Sequence, residues 1–170
     1  MKNDILAIAL ILLAFPSHAQ YKYSGCCFEL ENGSSNEIGL IWENDSIKFT
    51  IRPTDYFWGI TIENKLKIKQ TILWDDCVFA INGKSSAIIF DNTIKLMMDN
   101  PKGESIVIPE TSIKKKIYPA EKWGTTANPV YYKSDLKKKG PSNVKLMFAT
   151  KAGEDKKEYS FDVKISICQK

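Results

Sequence analysis

The clearest structural pattern in the chain is the stretch 159–167, which reads Tyr-Ser-Phe-Asp-Val-Lys-Ile-Ser-Ile. Apolar residues at the odd positions alternate with polar residues at the even positions. A β-strand points successive side chains to opposite faces, so this period of two predicts a half-buried strand. Shorter runs rich in β-branched and aromatic residues, which favour strands, lie at 47–51, 60–62, 66–68, 106–108 and 144–148.

Turn-forming residues separate these runs. Stretches rich in Gly, Asn, Asp and Pro, which favour turns, lie at 32–36, 82–83, 100–103, 140–143 and 152–155. Several short strands with turns between them predict an all-β, antiparallel sandwich or barrel. The stretch 110–142 lacks a clear alternation, and we expect one long irregular loop or insertion there, with at most one short helical turn.

Residues 1–19 have the layout of a signal peptide. Lys2 lies in a short polar start, the run 5–15 is apolar, and Ser17-His18-Ala19 offers a small-residue cleavage site before Gln20. The apolar run is too short to span a bilayer core of about 30 Å as a helix. We therefore expect an exported protein, located in the periplasm or on the outer envelope surface, whose mature domain is 20–170.

Charge and composition argue against nucleic-acid binding. The formal net charge is +4, and Arg52 is the single arginine among the 24 basic residues. Arginine is favoured where phosphate is recognised in a bidentate manner, and a nucleic-acid binder usually carries a strongly basic face. The predicted signal cleavage also removes His18, the only histidine of the chain, and histidine is the usual general base near neutral pH.

Four cysteines, Cys26, Cys27, Cys77 and Cys168, permit disulfides in an exported protein. Cys168 follows the last strand, whereas Cys26 and Cys27 lie in the first, so we predict a bond from Cys168 to Cys26 or Cys27. Small residues precede Cys26 as in lipidated bacterial proteins, but Tyr23 replaces the usual aliphatic residue, and we expect no lipid anchor. The cysteine spacing lacks a C-x-x-C pair, which argues against zinc.

The stretch 57–123 carries a set of hydrophobic and turn motifs. They are Phe57, Ile60-x-Ile62-x-Asn64-Lys65, Ile72-x-Trp74-Asp75-Asp76, Phe79-x-Ile81-Asn82-Gly83-Lys84-Ser85-Ser86, Ile106-x-Ile108-Pro109 and Trp123. This stretch resembles a loose group of bacterial envelope proteins, often lipoproteins, that have a single immunoglobulin-like β-sandwich. The resemblance implies an immunoglobulin-like fold and no active-site residues. The residues themselves place Trp74 at the end of a predicted strand, and we expect it in the core.

Candidate catalytic groups are few. Asp75 and Asp76 are adjacent acids, but a carboxylate pair in a glycosidase must face each other across the substrate, and neighbours at a strand end point in different directions. They are better explained as a turn or strand cap. A cysteine or serine nucleophile would lack a histidine base in the mature chain. We therefore expect a protein that is not an enzyme and that has no cofactor.

The stretch 114–139 is the candidate partner surface. Lysine triplets at 114–116 and 137–139 flank four aromatic residues, and exposed aromatics beside cations suit contact with a protein or a glycan. The alternative is that the aromatics pack the loop onto the sandwich. The candidate contact residues are Lys114, Lys115, Lys116, Tyr118, Trp123, Tyr131 and Tyr132.

Three functions are compatible with these observations. The first is an exported, non-enzymatic binding or structural module of the bacterial periplasm or cell envelope. The second is a small inhibitor or immunity protein that blocks an envelope-acting enzyme, with 114–139 as its plug. The third, with the least support, is a carboxylate-dependent hydrolase. Fold class alone does not decide among these functions.

Overall fold

The structure is a computed structural model and describes residues 19–123 and 128–168. These residues form thirteen strands: β1 (Ala19–Tyr23), β2 (Cys26–Leu30), β3 (Ser34–Ser35), β4 (Leu40–Glu43), β5 (Ile47–Pro53), β6 (Trp58–Asn64), β7 (Gln70–Leu73), β8 (Val78–Ile81), β9 (Lys84–Phe90), β10 (Glu104–Val107), β11 (Ser112–Pro119), β12 (Ser142–Ala152) and β13 (Asp155–Ile167). They also form helix α1 (Lys133–Lys139) and short 3-10 helices at Trp74–Asp76, Lys95–Met97 and Ala120–Lys122. The predicted signal peptide lies outside the described residues except for Ala19.

The strands form two antiparallel sheets. The first sheet has the order β1-β2-β13-β12-β8, and β7 pairs with the end of β12 and carries β10 on its other side. The second sheet has the order β11-β6-β5-β4-β3. Strand β9 links the sheets, because its first half pairs with β8 and its second half pairs with β11. A strand that changes sheets in this way forms a corner of a sandwich.

Aromatic side chains from both sheets fill the space between them. Phe49 of β5 lies 5.3 Å from Phe148 of β12 and 4.9 Å from Phe161 of β13, measured between ring centroids. Trp58 of β6 contacts Phe28 of β2 at 6.2 Å. Four of these five residues belong to strands that alternate between buried and more exposed positions, as the period-two pattern predicts. The fifth, Phe28, belongs to β2, in which four of the five residues are buried.

The predicted all-β, antiparallel sandwich is confirmed, and so is the burial of Trp74. Trp74 begins a 3-10 helix directly after β7, and its Nε1 donates a hydrogen bond to Ser105 Oγ at 2.8 Å. The disulfide prediction is also confirmed, since Cys27 is bonded to Cys168. Cys26 and Cys77 are buried free thiols.

The prediction of one long irregular loop at 110–142 is wrong. Strand β11 occupies its first part and pairs with β6 over six residues, and helix α1 occupies its last part. The period-two pattern of β11 is not visible in the sequence because a lysine interrupts its apolar positions. Lys115 lies between Ile113 and Ile117, at the register position opposite the buried Ile60. Pairing on both sides of β11 therefore decides its conformation despite a poor local pattern.

Candidate functional site

The outer face of the second sheet is polar and basic. In β5, Phe49 and Ile51 point into the core, so Thr50 and Arg52 point outward. The same alternation sends the outer side chains of β6 and β11 to this face. Two rows of facing residues cross these strands, and they are Thr50–Thr61–Lys114 and Arg52–Gly59–Lys116.

These rows form the floor of a groove of about 650 Å³, here called the basic groove. Its rim is formed by the end of β1, the loop before β4, the segment between β5 and β6 and the residue that follows β9. The groove is lined by Tyr23, Ile38, Thr50, Arg52, Thr54, Phe57, Gly59, Ile60, Thr61, Asp91, Lys114, Lys115 and Lys116. Four of these residues are cationic and one is anionic, so the groove favours a ligand with negative charge.

Neighbouring groups hold some of these cations in place. Lys116 Nζ lies 3.9 Å from Asp91 Oδ2 and 5.3 Å from the centre of the Phe57 ring. Lys115 Nζ lies 5.1 Å from the centre of the Phe90 ring. Within the part of the chain that the structure describes, Arg52 and Lys114 have no ion pair within 4 Å. Their charges remain available to a ligand.

Tyr118 and Trp123 form an aromatic cluster with Phe57 at one end of the groove. The ring centroids of Tyr118 and Trp123 are 4.9 Å apart, and those of Tyr118 and Phe57 are 5.9 Å apart. Burial raises the pKa of the Tyr118 hydroxyl, and the charge of Asp91 raises it further. Tyr118 and Trp123 are half-buried, so packing accounts for part of their surface.

Tyr131 is not part of a surface, and its assignment as a contact residue is wrong. Its ring packs at 5.7 Å against Phe28, and its hydroxyl donates a hydrogen bond to Asp55. Burial and the bond to Asp55 raise the pKa of the Tyr131 hydroxyl far above its usual range. Tyr132 is 47% exposed but lines a different cavity, beside helix α1. The predicted surface is therefore divided: Lys114, Lys115 and Lys116 line the basic groove, and Tyr118 and Trp123 lie beside its Phe57 without lining it.

The segment that the plug version of the inhibitor hypothesis relies on is held against the sandwich, and the inhibitor hypothesis stays a prediction. Residues 114–116 lie within a paired strand, and Tyr131 anchors the following segment to the core. The backbone N–H of Val130 donates a hydrogen bond to the carbonyl of Asp55 at 2.8 Å, which holds this segment down.

The candidate catalytic acids have structural partners. The Asp75 carboxylate accepts hydrogen bonds from the backbone N–H groups of Lys102 at 2.6 Å and Gly103 at 3.0 Å. The Asp76 carboxylate lies 2.9 Å from Lys156 Nζ. These contacts agree with the interpretation of both acids as turn and cap residues.

The free thiols are poor nucleophiles. Burial raises the pKa of Cys26, and it raises the pKa of Cys77 to about 11. A thiol in this state is mostly protonated near neutral pH, whereas the thiolate is the reactive form.

Within residues 19–123 and 128–168, no three His, Cys, Asp or Glu side chains are grouped so as to hold a metal ion. No helix in the same residues is long and apolar enough to cross a membrane.

Comparisons with known proteins add little. No protein-family model and no curated protein matches the chain. Among solved structures, the chain is similar to the GAE domain of GGA2p from Saccharomyces cerevisiae, at 12% identity and a TM-score of 0.28, over 91% of this chain and 99% of that one. The resemblance to bacterial envelope proteins stays a prediction.

Sequence reasoning missed the half of the groove that comes from β5 and β6. In the sequence, Arg52 stands out only as the single arginine, and no motif marks Thr50, Gly59 or Thr61 as part of a site. The alternation of 47–51 could have placed Thr50 and Arg52 on an outer face. Their position opposite Lys114 and Lys116 required the strand order of the second sheet.

Proposed function

We propose that this protein is an exported, non-enzymatic binding module that holds an acidic segment of a partner protein in the basic groove. The observation that carries the proposal is the convergence of Arg52, Lys114 and Lys116 on one outer sheet face. Like charges on one face repel each other, and Lys114 and Lys116 lie two residues apart on the same face of β11. An acidic partner relieves that repulsion and is steered to the site by the same charges.

The apolar part of the rim favours a protein partner over a glycan. Ile38 is 61% exposed, and it lines the groove together with Phe57 and Tyr23. Protein interfaces are enriched in aromatic residues and arginine, and apolar side chains serve as anchors at their centres. A segment that combines a carboxylate with an apolar side chain matches both parts of the groove.

Two observations support export and the lack of a lipid anchor. The Cys27–Cys168 disulfide is typical of oxidising compartments. Lipid attachment at Cys26 would require cleavage directly before it, which would remove β1. All five residues of β1 pair with β2, so that loss would strip the outer strand from the first sheet.

The experiment uses peptides selected from a displayed random library on the mature protein. We expect the selected peptides to pair Asp or Glu with an apolar residue. The double variant Lys114→Gln/Lys116→Gln should weaken binding of such a peptide by about tenfold at low salt, because each exposed charge pair contributes up to about 1 kcal/mol. The salt dependence of binding should flatten, and the melting temperature should change little.

The matched control is the double variant Lys145→Gln/Lys164→Gln. These lysines are exposed on β12 and β13 of the first sheet, so the control removes the same charge from a different face. Its affinity for the peptide should equal that of the parent. If both double variants lose the same affinity for the peptide, the effect comes from the net charge of the protein and not from the basic groove. If the library yields no acidic peptides and an acidic oligosaccharide binds in the groove, the partner is a glycan and the proposal of a protein partner is wrong.

A further inference from the structure

A second cavity lies at one end of the sandwich, away from the basic groove, and has a volume of about 210 Å³. The loop before β5, the loop between β6 and β7, and the hairpin of β12 and β13 surround it. It is lined by Ser46, Leu66, Ile68, Gln70, Thr150, Ala152, Asp155, Lys157 and Tyr159. We call it the end cavity, and it shares no residue with the basic groove.

Two deeply buried polar atoms of this lining lack a hydrogen-bond partner. Gln70 is 2% exposed and Tyr159 is 8% exposed, yet Gln70 Oε1 and the Tyr159 hydroxyl find no partner among the described residues. A buried polar group without a partner is costly, and such groups in native proteins call for an explanation. A bound ligand that donates a hydrogen bond to Gln70 Oε1 and forms a hydrogen bond with the Tyr159 hydroxyl would explain why neither atom has a partner within the protein.

Both groups are held in fixed orientations. Gln70 Nε2 donates to the carbonyl of Ser46 at 3.4 Å, and a carbonyl accepts only from the NH₂ side of the amide, so Oε1 is the free atom. The Tyr159 ring packs against Trp42 at 5.6 Å and against Phe49 at 5.3 Å. Fixed groups of this kind reduce the entropy that a ligand loses on binding.

The rim of the end cavity carries one charge of each sign. Asp155 and Lys157 are exposed, lie two residues apart on β13, and share the face of Tyr159. Within the described residues, neither has an ion pair closer than 4 Å, including with each other. An anion and a cation that are near but unpaired suit a ligand that carries both charges.

One wall of the cavity is apolar and rigid. Leu66 and Ile68 belong to the loop after β6, and Ile68 is 53% exposed. The buried side chain of Asn64 holds this loop, because its Nδ2 donates to the carbonyl of Ile68 at 2.7 Å and its Oδ1 accepts from the N–H of Leu66 at 2.9 Å. An apolar ligand side chain placed here would cover exposed apolar surface.

We propose that the end cavity binds a free α-amino acid with a small apolar side chain. The ammonium group donates to Gln70 Oε1 and faces Asp155, and the carboxylate accepts from the Tyr159 hydroxyl and faces Lys157. The side chain contacts the wall formed by Leu66 and Ile68. This site is independent of the basic groove and of its acidic partner.

The first test compares L-valine with two analogues by calorimetry or by NMR titration of the mature protein. Isobutylamine lacks the carboxylate and 3-methylbutyrate lacks the ammonium group. We expect valine to bind at least about tenfold more tightly than either analogue, because each loses a charge-assisted hydrogen bond. Absence of binding by valine at millimolar concentration, or equal binding by an analogue, would overturn the proposal.

The second test uses Gln70→Met and Tyr159→Phe. Each variant removes one of the unpartnered polar groups and keeps most of the side-chain volume. Valine affinity should fall by about tenfold in both variants. Thermal stability without ligand should stay equal or rise in Tyr159→Phe because a buried unsatisfied group is gone, whereas Gln70→Met also loses the hydrogen bond from Nε2 to the Ser46 carbonyl. Tyr132→Phe is the matched control, since Tyr132 is exposed elsewhere. Unchanged valine affinity in both cavity variants would refute the assignment.

Discussion

Replacing Gly59 with alanine should stabilise the protein and weaken binding of an acidic partner. Gly59 lies on β6 between Arg52 and Lys116, which face it from the neighbouring strands. A Cβ atom built at Gly59 would lie 3.5 Å from Arg52 Cβ, an ordinary contact, and the backbone there is not left-handed. Nothing in the fold therefore requires glycine at this position.

The absence of a side chain does keep the groove floor open between two cations. Arg52 and Lys116 are separated by two strand spacings, about 9.6 Å, which leaves room for a carboxylate between their side chains. Glycine within a strand costs about 0.5–1 kcal/mol relative to alanine, so Gly59→Ala should raise the free energy of unfolding by that amount. A methyl group on the floor should displace the carboxylate and lower peptide affinity by about tenfold, which corresponds to about 1.4 kcal/mol.

The assay measures urea unfolding and peptide binding on the same preparations. Gly39→Ala is the contrasting control, because its Cβ would lie 2.3 Å from the carbonyl oxygen of Ile51 and should destabilise the fold. Loss of stability in Gly59→Ala would refute the packing argument. Higher stability with unchanged peptide affinity would show that no anion occupies the groove floor.

Three further predictions concern stability, each measured by urea unfolding without reductant. Cys27→Ala should lower the free energy of unfolding by about 5 kcal/mol in the chain-entropy model, since its disulfide spans 141 residues; Cys26→Ala keeps that bond and should cost much less, and equal losses would contradict this account. Asn64→Leu should cost about 2–3 kcal/mol because it leaves the buried carbonyl of Val107 and the part-buried carbonyl of Ile68 without their donor; a neutral result would show that Asn64 does not hold its loop. Burial raises the pKa of Cys77 from 9.0 to about 11. The contribution of this thiol to the free energy of unfolding should therefore be fully present below pH 9 and should fall by about 1.4 kcal/mol per pH unit as the pH rises toward 11. Cys77→Val should remove that part of the slope, and an identical pH profile would contradict it.

The strands that lie over the core were predictable from the sequence because burial alternates along them. In β13, Tyr159, Phe161, Val163 and Ile165 are all buried, as their period of two predicts. The disulfide prediction named the right cysteines although Cys27 lies in β2 and not in the first strand, because β2 pairs with β13 and brings Cys27 beside Cys168. The face of a strand that each of the β13 residues occupies can be read directly from the alternation of apolar and polar residues in the sequence.

The two candidate sites depend on which strands are neighbours, and a single sequence does not state that. Lys114 meets Thr61 and Thr50 only because β11 pairs with β6 and β6 with β5. The end cavity likewise joins Gln70 to Tyr159 across 89 positions of the chain, through the pairing of β7 with β12 and of β12 with β13. Long-range register is decided by packing and turn geometry together, so these groupings emerge only in three dimensions.

Several places where the chain departs from what its fold would favour lie at the two proposed sites, although the buried Trp58 Nε1, which also lacks a hydrogen-bond partner, lines neither of them. Lys115 occupies a core-facing register position in β11, Gly59 interrupts a strand that would accept a side chain, and Gln70 and Tyr159 keep buried polar atoms without partners. Each departure costs stability, and natural proteins concentrate such departures at functional sites. The first two lie at the basic groove and the last two at the end cavity. A purely structural sandwich would gain stability from replacing Gly59 or Tyr159, so substitutions that raise stability and lower binding together would identify these residues as functional.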